Sequence, residues 1–138
     1  MPVVIEVTDA VDDSVRQAIV GPLVAYNALR TGTSDYKPLA VVITEDSRVV
    51  GGLCGRTAYG WLFVELLFVP ESLRGQGIGT DLMKRAEREA VARGCRSAWL
   101  DTFEFQARGF YERMGYTCFG ELADYPSGFS RYFMKKTL

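Results

Sequence analysis

The chain has 138 residues, 48% of them hydrophobic and 24% charged, with 16 Lys and Arg against 17 Asp and Glu for a net charge of −1. This composition fits one globular domain over residues 1–138, long enough to bury about two thirds of its unfolded surface without staples. Near-neutral charge argues against a nucleic-acid partner, and the lack of a long apolar run or a basic apolar leader argues against a membrane partner, so a cytoplasmic location is expected.

Taken in order, Pro2 to Val7 alternates apolar and polar residues and predicts an edge strand. Asp12 or Asp13 can cap a helix running to Arg30, before Gly32. Gly21-Pro22 interrupts it, so the segment reads as one kinked helix or two in tandem. Leu39 to Thr44 and Val49 to Thr57 are β-branched runs joined by the polar turn Glu45-Asp46-Ser47-Arg48, and a second turn at Ala58-Tyr59-Gly60 leads into Trp61 to Val69. These strands predict an antiparallel meander. Its last strand is apolar on both faces, with Leu62, Val64, Leu66 and Phe68 on one and Trp61, Phe63, Leu67 and Val69 on the other, as expected of a strand covered on both sides.

From Gly77 to Arg93, Ile78, Leu82, Met83, Ala86, Ala90 and Val91 trace the apolar face of a helix that Gly94 ends. Ser97 to Phe103 predicts a strand parallel to the central one, followed by a short helix over Ala107 to Met114. Tyr116 to Leu122 and Ser130 to Lys136 predict a closing hairpin around the loop Asp124 to Gly128.

Between the central strand and the long helix lies Arg74-Gly75-Gln76-Gly77-Ile78-Gly79-Thr80. Glycines at alternate positions leave the main-chain N–H groups accessible, and the helix N-terminus adds its dipole, so the loop is built to hold a pyrophosphate. It is not a mononucleotide P-loop, which needs Lys and then Ser or Thr after the last glycine; here Thr80-Asp81 follows Gly79. Nor is it the dinucleotide fingerprint, whose glycine spacing differs. The remaining pattern, Arg74-x-x-Gly77-x-Gly79, resembles the acyl-CoA pyrophosphate loop of the GNAT N-acetyltransferases.

Two flanking segments strengthen the resemblance. Leu67-Phe68-Val69-Pro70 is similar to the family's central strand, and Ala107-Arg108-Gly109-Phe110-Tyr111-Glu112-Arg113-Met114-Gly115-Tyr116 is similar to the family element A-x-x-F-Y-E-x-x-G-[FY]. With the element pattern above, the resemblance implies an α/β GNAT fold: a mixed sheet of about six to seven strands, mostly antiparallel with a parallel central pair, and three to four helices. It also implies transfer of an acetyl group from acetyl-CoA to an amine. The cofactor would lie along Leu67, Phe68 and Val69, with its diphosphate on residues 74–80 (Arg74, Gly75, Gln76, Gly77, Ile78, Gly79, Thr80). Arg108 would stand toward its adenosine end.

Histidine is absent from the sequence, which excludes Ser-His and Cys-His pairs and a His-ligated zinc, and no metal is expected. Cys54, Cys95 and Cys118 form no C-x-x-C pair and read as reduced, partly buried thiols. Proton transfer therefore rests on other groups. An alkyl amine has a pKa of about 10.4 in water and must lose a proton before attack. Glu65, the single ionisable side chain in its strand, is the candidate base; Trp61, Phe63 and Phe68 are expected to enclose it, and a structural pairing with Arg56 is its alternative role. The leaving thiolate, with a pKa of about 8.5 by analogy with cysteine, benefits from a nearby acid. Tyr111 takes that role by resemblance.

The family commonly carries an Asn where this chain has Glu104. A carboxylate cannot donate, so a cofactor contact there is lost or comes from Thr102 or Gln106. Tyr26, Asn27, Trp61, Asp101 and Tyr125, with Phe129, fall in segments that border the acceptor cleft in the family and suit a small-molecule amine. A protein or peptide acceptor, or acyl-CoA binding without catalysis, remain as alternatives. Phe129, Tyr132, Phe133 and Met134 would offer a homodimer surface.

Overall fold

In the computed structural model, which describes residues 2–138, the chain divides into two compact units, one ending at Ser34 and one spanning Asp35–Leu138. In the first unit, residues 2–7 form no strand. Alternation describes where side chains would point, but a strand forms only where its N–H and C=O groups find a ladder, and this segment pairs with none. Helix α1 (Asp13–Thr31) follows. The Asp12 carboxylate caps it by accepting from the Val15 N–H at 3.0 Å and the Ser14 hydroxyl at 2.7 Å. At the other end Gly32, at φ +81°, donates its N–H to Ala28. The helix runs unbroken through Gly21-Pro22, so the single-helix alternative holds; Pro22 leaves the Ala18 carbonyl without its usual donor.

The second unit is a six-stranded sheet in the order β1-β2-β3-β4-β6-β5, from β1 (Lys37–Glu45), β2 (Arg48–Ala58), β3 (Trp61–Phe68), β4 (Ser97–Phe103), β5 (Thr117–Leu122) and β6 (Arg131–Thr137). Two helices join them, α2 (Ile78–Ala92) and α3 (Arg108–Arg113). Two-residue turns connect the meander. Asp46 and Ser47 have φ of +50° and +64°, and Tyr59 and Gly60 +53° and +74°, the left-handed pairs that match the twist of the strands they join. All neighbours are antiparallel except β3 and β4, which the α2 crossover makes parallel.

Helix α2 buries Leu82, Met83, Ala86 and Ala90 in one core with Leu53, Leu62, Val64, Ala98, Leu100 and Met134. Each large apolar side chain so buried contributes about 1.5–3 kcal/mol. Polar ties fix the helix in register. Arg93 Nη1 donates to the carbonyls of Lys37 and Pro38 and to the Thr57 hydroxyl at 3.1–3.3 Å. Midway along α2, the Glu87 carboxylate accepts from the Tyr116 hydroxyl and from Lys136 Nζ, both at 2.8 Å. Met134 is wholly buried, so it adds nothing to a dimer surface. Cys54 is exposed rather than partly buried. Among the described residues no helix is long and apolar enough to cross a membrane.

One irregularity sets up the cleft. Gly55 pairs with Val64 and Cys54 with Leu66, which leaves Glu65 as an extra residue in β3, a β-bulge. Side-chain direction changes phase there. Leu62 and Val64 face the core before the bulge and Leu67 and Val69 after it, whereas Leu66 and Phe68 are exposed. The expected strict alternation therefore holds only up to Val64, and the second face is not covered even there, since Trp61 is exposed.

Candidate active site

Strands β3 and β4 stay in register for four residue pairs, from Trp61 with Ser97 to Val64 with Leu100. Beyond that point β3 pairs on with β2 while residues 101–103 of β4 pair with β6, and the two strands no longer pair with each other. A cleft of about 960 Å³ opens in this fork. It is walled on one side by Val64 to Val69 and on the other by Asp101, Thr102 and the segment leading into α3. Main-chain groups of β3 on the side that β4 has left are placed to pair with an extended guest, as an added strand would be.

At the far end of β3 the chain makes one 3₁₀ turn, Glu71–Leu73, and enters α2 through Arg74 to Gly77. Arg74 Nε donates to the Val69 carbonyl at 2.9 Å, which closes the turn. Gly75 and Gly77 sit at φ +77° and +76°, left-handed values that an L side chain rarely tolerates. Gly77 is the N-cap of α2 and has no side chain to offer the helix. The Arg74 N–H bonds to the Glu71 carbonyl, and the next N–H to find a carbonyl is that of Asp81, which bonds to Gly77. The amides of Ile78, Gly79 and Thr80 are thus unpaired at a helix N-terminus, where the dipole favours an anion. Gly75, Gly77, Ile78, Gly79 and Thr80 all line the cleft.

Helix α3 supplies the opposite wall. Phe110 packs over Gly79, its ring 3.5 Å from where a Cβ would stand. Tyr111, on the same turn, is buried to 6% exposure against Tyr116 yet lines the cleft. Its hydroxyl has no protein partner, and since no wholly buried side-chain oxygen among the described residues lacks one, that hydroxyl opens to the cleft. Burial pushes the phenol up to about 12, with the charge of Asp101 adding to the effect.

The sequence profile of the Acetyltransferase (GNAT) family matches residues 12–116. An acetyltransferase of Agrobacterium fabrum is 48% identical over 130 residues, 94% of this chain and 95% of that protein. The chain belongs to the GNAT acetyltransferase family. A blasticidin-S acetyltransferase of Streptomyces morookaense is 39% identical over 114 residues, 79% of this chain and 84% of its own length. A crystal structure of an Agrobacterium tumefaciens protein described as an acetyltransferase superposes with a TM-score of 0.93 at 45% identity, covering 99% of this chain and 100% of that one.

In this acetyltransferase the fork gathers Glu65, Leu67, Phe68, Val69, Arg74, Asp101 and Tyr111 around one cleft. Glu65 is exposed and makes no hydrogen bond or ion pair, so neither the expected enclosure nor the alternative pairing with Arg56 is formed. Arg56 instead stands over the Phe63 ring, 4.5 Å from its centre. Other expected residues of the second unit lie elsewhere. Arg108 pairs with Glu112 at 3.6 Å and covers the Tyr132 ring, whereas Arg113, at the other end of α3, lines the cleft without an ion-pair partner. The family element that marks α3 leaves both arginine positions open and gives no sign of which arginine faces inward. Gln76 is not among the lining residues; Trp61 borders a separate hollow of about 280 Å³ with Phe63 and Trp99; Tyr125 lies over Arg131. Tyr26 and Asn27 belong to α1, where Tyr26 stacks beneath Arg30.

Glu104 accepts from the Tyr132 hydroxyl at 3.2 Å and is not part of the cleft lining. Gln106 does line it. Its Oε1 accepts from the Phe103 N–H at 2.8 Å and from the Thr102 hydroxyl at 3.2 Å. Because a main-chain N–H can only donate, the amide oxygen is fixed on that side and the NH₂ group is left to donate elsewhere.

Proposed function

We propose that this chain transfers the acetyl group of acetyl-CoA to a primary amine of a small molecule, by direct attack with both substrates bound in the fork. The observation that carries the reading is the fork itself. An unpaired strand edge leads at one end to unpaired amides at a helix N-terminus and at the other to a carboxylate and a buried, neutral phenol. These features fit an extended ligand with a diphosphate: Gly75 to Thr80 hold the phosphates, Leu67 to Val69 pair with the arm, and Arg113 and Gln106 add donors. Bound acetyl-CoA supplies a thioester carbonyl at the apex of the fork.

The protein then has three tasks. Glu65 takes a proton from the amine nitrogen as that nitrogen bonds to the carbonyl carbon. A main-chain N–H in residues 65–68 stabilises the negative charge that develops on the carbonyl oxygen. As the carbon–sulfur bond breaks, Tyr111 gives its proton to the departing sulfur. Its raised pKa keeps that proton in place at any physiological pH. A small acceptor is supported by the relative that bears the name blasticidin-S acetyltransferase. The setting that suits such a reaction is the cytoplasm.

Thiol release from acetyl-CoA in the presence of a pool of primary amines tests the reading. Amine-dependent release that falls in Glu65→Gln and Tyr111→Phe proteins supports it; binding of the coenzyme without turnover on any amine overturns it.

A further inference from the structure

Asp101 is the first residue of β4 beyond the last pair with β3, one position past Leu100, just as Glu65 follows Val64 on β3. Both therefore stand at the apex of the fork, and both line the cleft. Their surroundings differ. Glu65 is unpaired, whereas Asp101 is gripped by Arg131, whose Nε and Nη2 both donate to the same oxygen, Oδ1, at 2.9 and 2.6 Å. The pair is largely shielded, with side-chain exposures of 18% for Asp101 and 23% for Arg131.

Arg131 is itself held. Its guanidinium lies over the rings of Tyr125, Phe103 and Phe133, 4.7, 5.2 and 5.6 Å from their centres. A planar cation packed among three rings and pointing both donors at one oxygen fixes the carboxylate's rotation. The other oxygen, Oδ2, receives no protein donor. Since no wholly buried side-chain oxygen among the described residues is left without a partner, Oδ2 is accessible.

We propose that Oδ2 of Asp101 accepts one N–H of the attacking amine, and that Arg131 is the positioning residue that presents it. The inference rests on the acetyl-transfer reading above and gives the acceptor a narrower class. A neutral primary amine has one lone pair and two N–H bonds. With the lone pair aimed at the thioester carbon, one N–H meets Glu65, which takes that proton, and the other meets Asp101. The second hydrogen stays on nitrogen and becomes the N–H of the amide product, so Asp101 gains no proton. An N-methyl amine keeps only one hydrogen for two carboxylates. The site thus selects primary over secondary amines.

Asp101→Asn is the sharp test, because Arg131 can only donate and will hold the Asn Oδ1, turning the NH₂ group toward the amine. Donor then faces donor. Wild type, Asp101→Asn, Arg131→Met and Arg131→Lys are compared with a primary amine that turns over and with its N-methyl derivative, and folding is checked by thermal unfolding. Asp101→Asn is expected to raise KM for the primary amine about ten- to hundredfold, with KM for acetyl-CoA within about twofold. The preference for the primary over the N-methyl amine collapses in this protein. Arg131→Met follows the same pattern, and Arg131→Lys recovers part of the loss. An unchanged preference in folded Asp101→Asn, or equal rises in both KM values, overturns the inference while leaving acetyl transfer standing. Wild type that acetylates no amine removes both.

Discussion

Val64 on β3 and Leu100 on β4 are the last residues at which the two parallel strands face each other in register. Both are buried, at 3% and 1% exposure. Every group assigned to the chemistry lies just beyond this pair or along the walls that diverge from it, and the following expectations rest on that geometry.

Tyr111→Phe removes only a hydroxyl that has no protein partner, so the fold should be unaffected and KM for acetyl-CoA nearly so. The turnover number is expected to fall by about 10²- to 10⁴-fold if the phenol is the acid that protonates the departing thiolate. Steady-state kinetics beside a thermal melt separates the two quantities. A variant with full turnover rejects the role.

Glu65→Gln replaces an exposed side chain without partners. Stability should change by less than about 0.5 kcal/mol, while turnover drops by about 10²-fold or more near neutral pH and recovers partly at high pH as free amine accumulates. The pH–rate profile of the two proteins gives the comparison.

Gly77→Ala tests the anion site without steric interference, because nothing lies within 4 Å of the position a Cβ would take. The cost is conformational, about 1–2 kcal/mol for holding an L residue at φ +76°. Calorimetry should show weaker coenzyme binding by about tenfold if the main chain shifts to relieve it.

Gly55→Ala addresses the bulge. A Cβ there would overlap the Phe63 carbonyl oxygen and crowd the Val64 Cα at 3.3 Å. The expected loss is about 1–3 kcal/mol of stability, accompanied by lower turnover because the phase of Glu65 depends on this crossing. Urea denaturation provides the first number and kinetics the second.

Alkaline stability should fall in a defined window. Burial raises Tyr111 to about 12 from an ordinary value of 10, and burial with the neighbouring Glu87 carboxylate raises Tyr116 as well. Groups whose pKa is higher folded than unfolded favour the native state fully below the unfolded value, so their contribution is intact below about pH 10 and is lost as pH rises through the folded values. Denaturation followed from pH 8 to 12.5 should show the decline beginning near 10. Tyr111→Phe should make it shallower.

Much of this arrangement was legible in the residues. The turn chemistry of Asp46-Ser47 and Tyr59-Gly60, the apolar face of α2 and the glycines before it each follow from local rules, and they account for the meander, the crossover and the glycine turn that opens α2. Failures came where a local rule met a non-local condition. Residues 2–7 alternate but lack a ladder. The faces of β3 were assigned by parity, which one extra residue at Glu65 reverses, and that residue is visible only from the pairing of Gly55 and Cys54 across the sheet. Arg131 carries no local signal of its role, because nothing in a closing strand shows that its guanidinium will reach across to Asp101.

The sheet can also be regarded as two leaves of three strands, β1-β2-β3 and β4-β6-β5, spliced along only four residue pairs. Glu87 reinforces the splice, reaching from the helix that lies on the first leaf to Tyr116 and Lys136 on the second. A guest lying in the gap lengthens the seam. Amide protons of β3 and β4 that exchange independently in the free protein should then slow together when the cleft is filled, because opening one leaf would mean tearing the guest from the other.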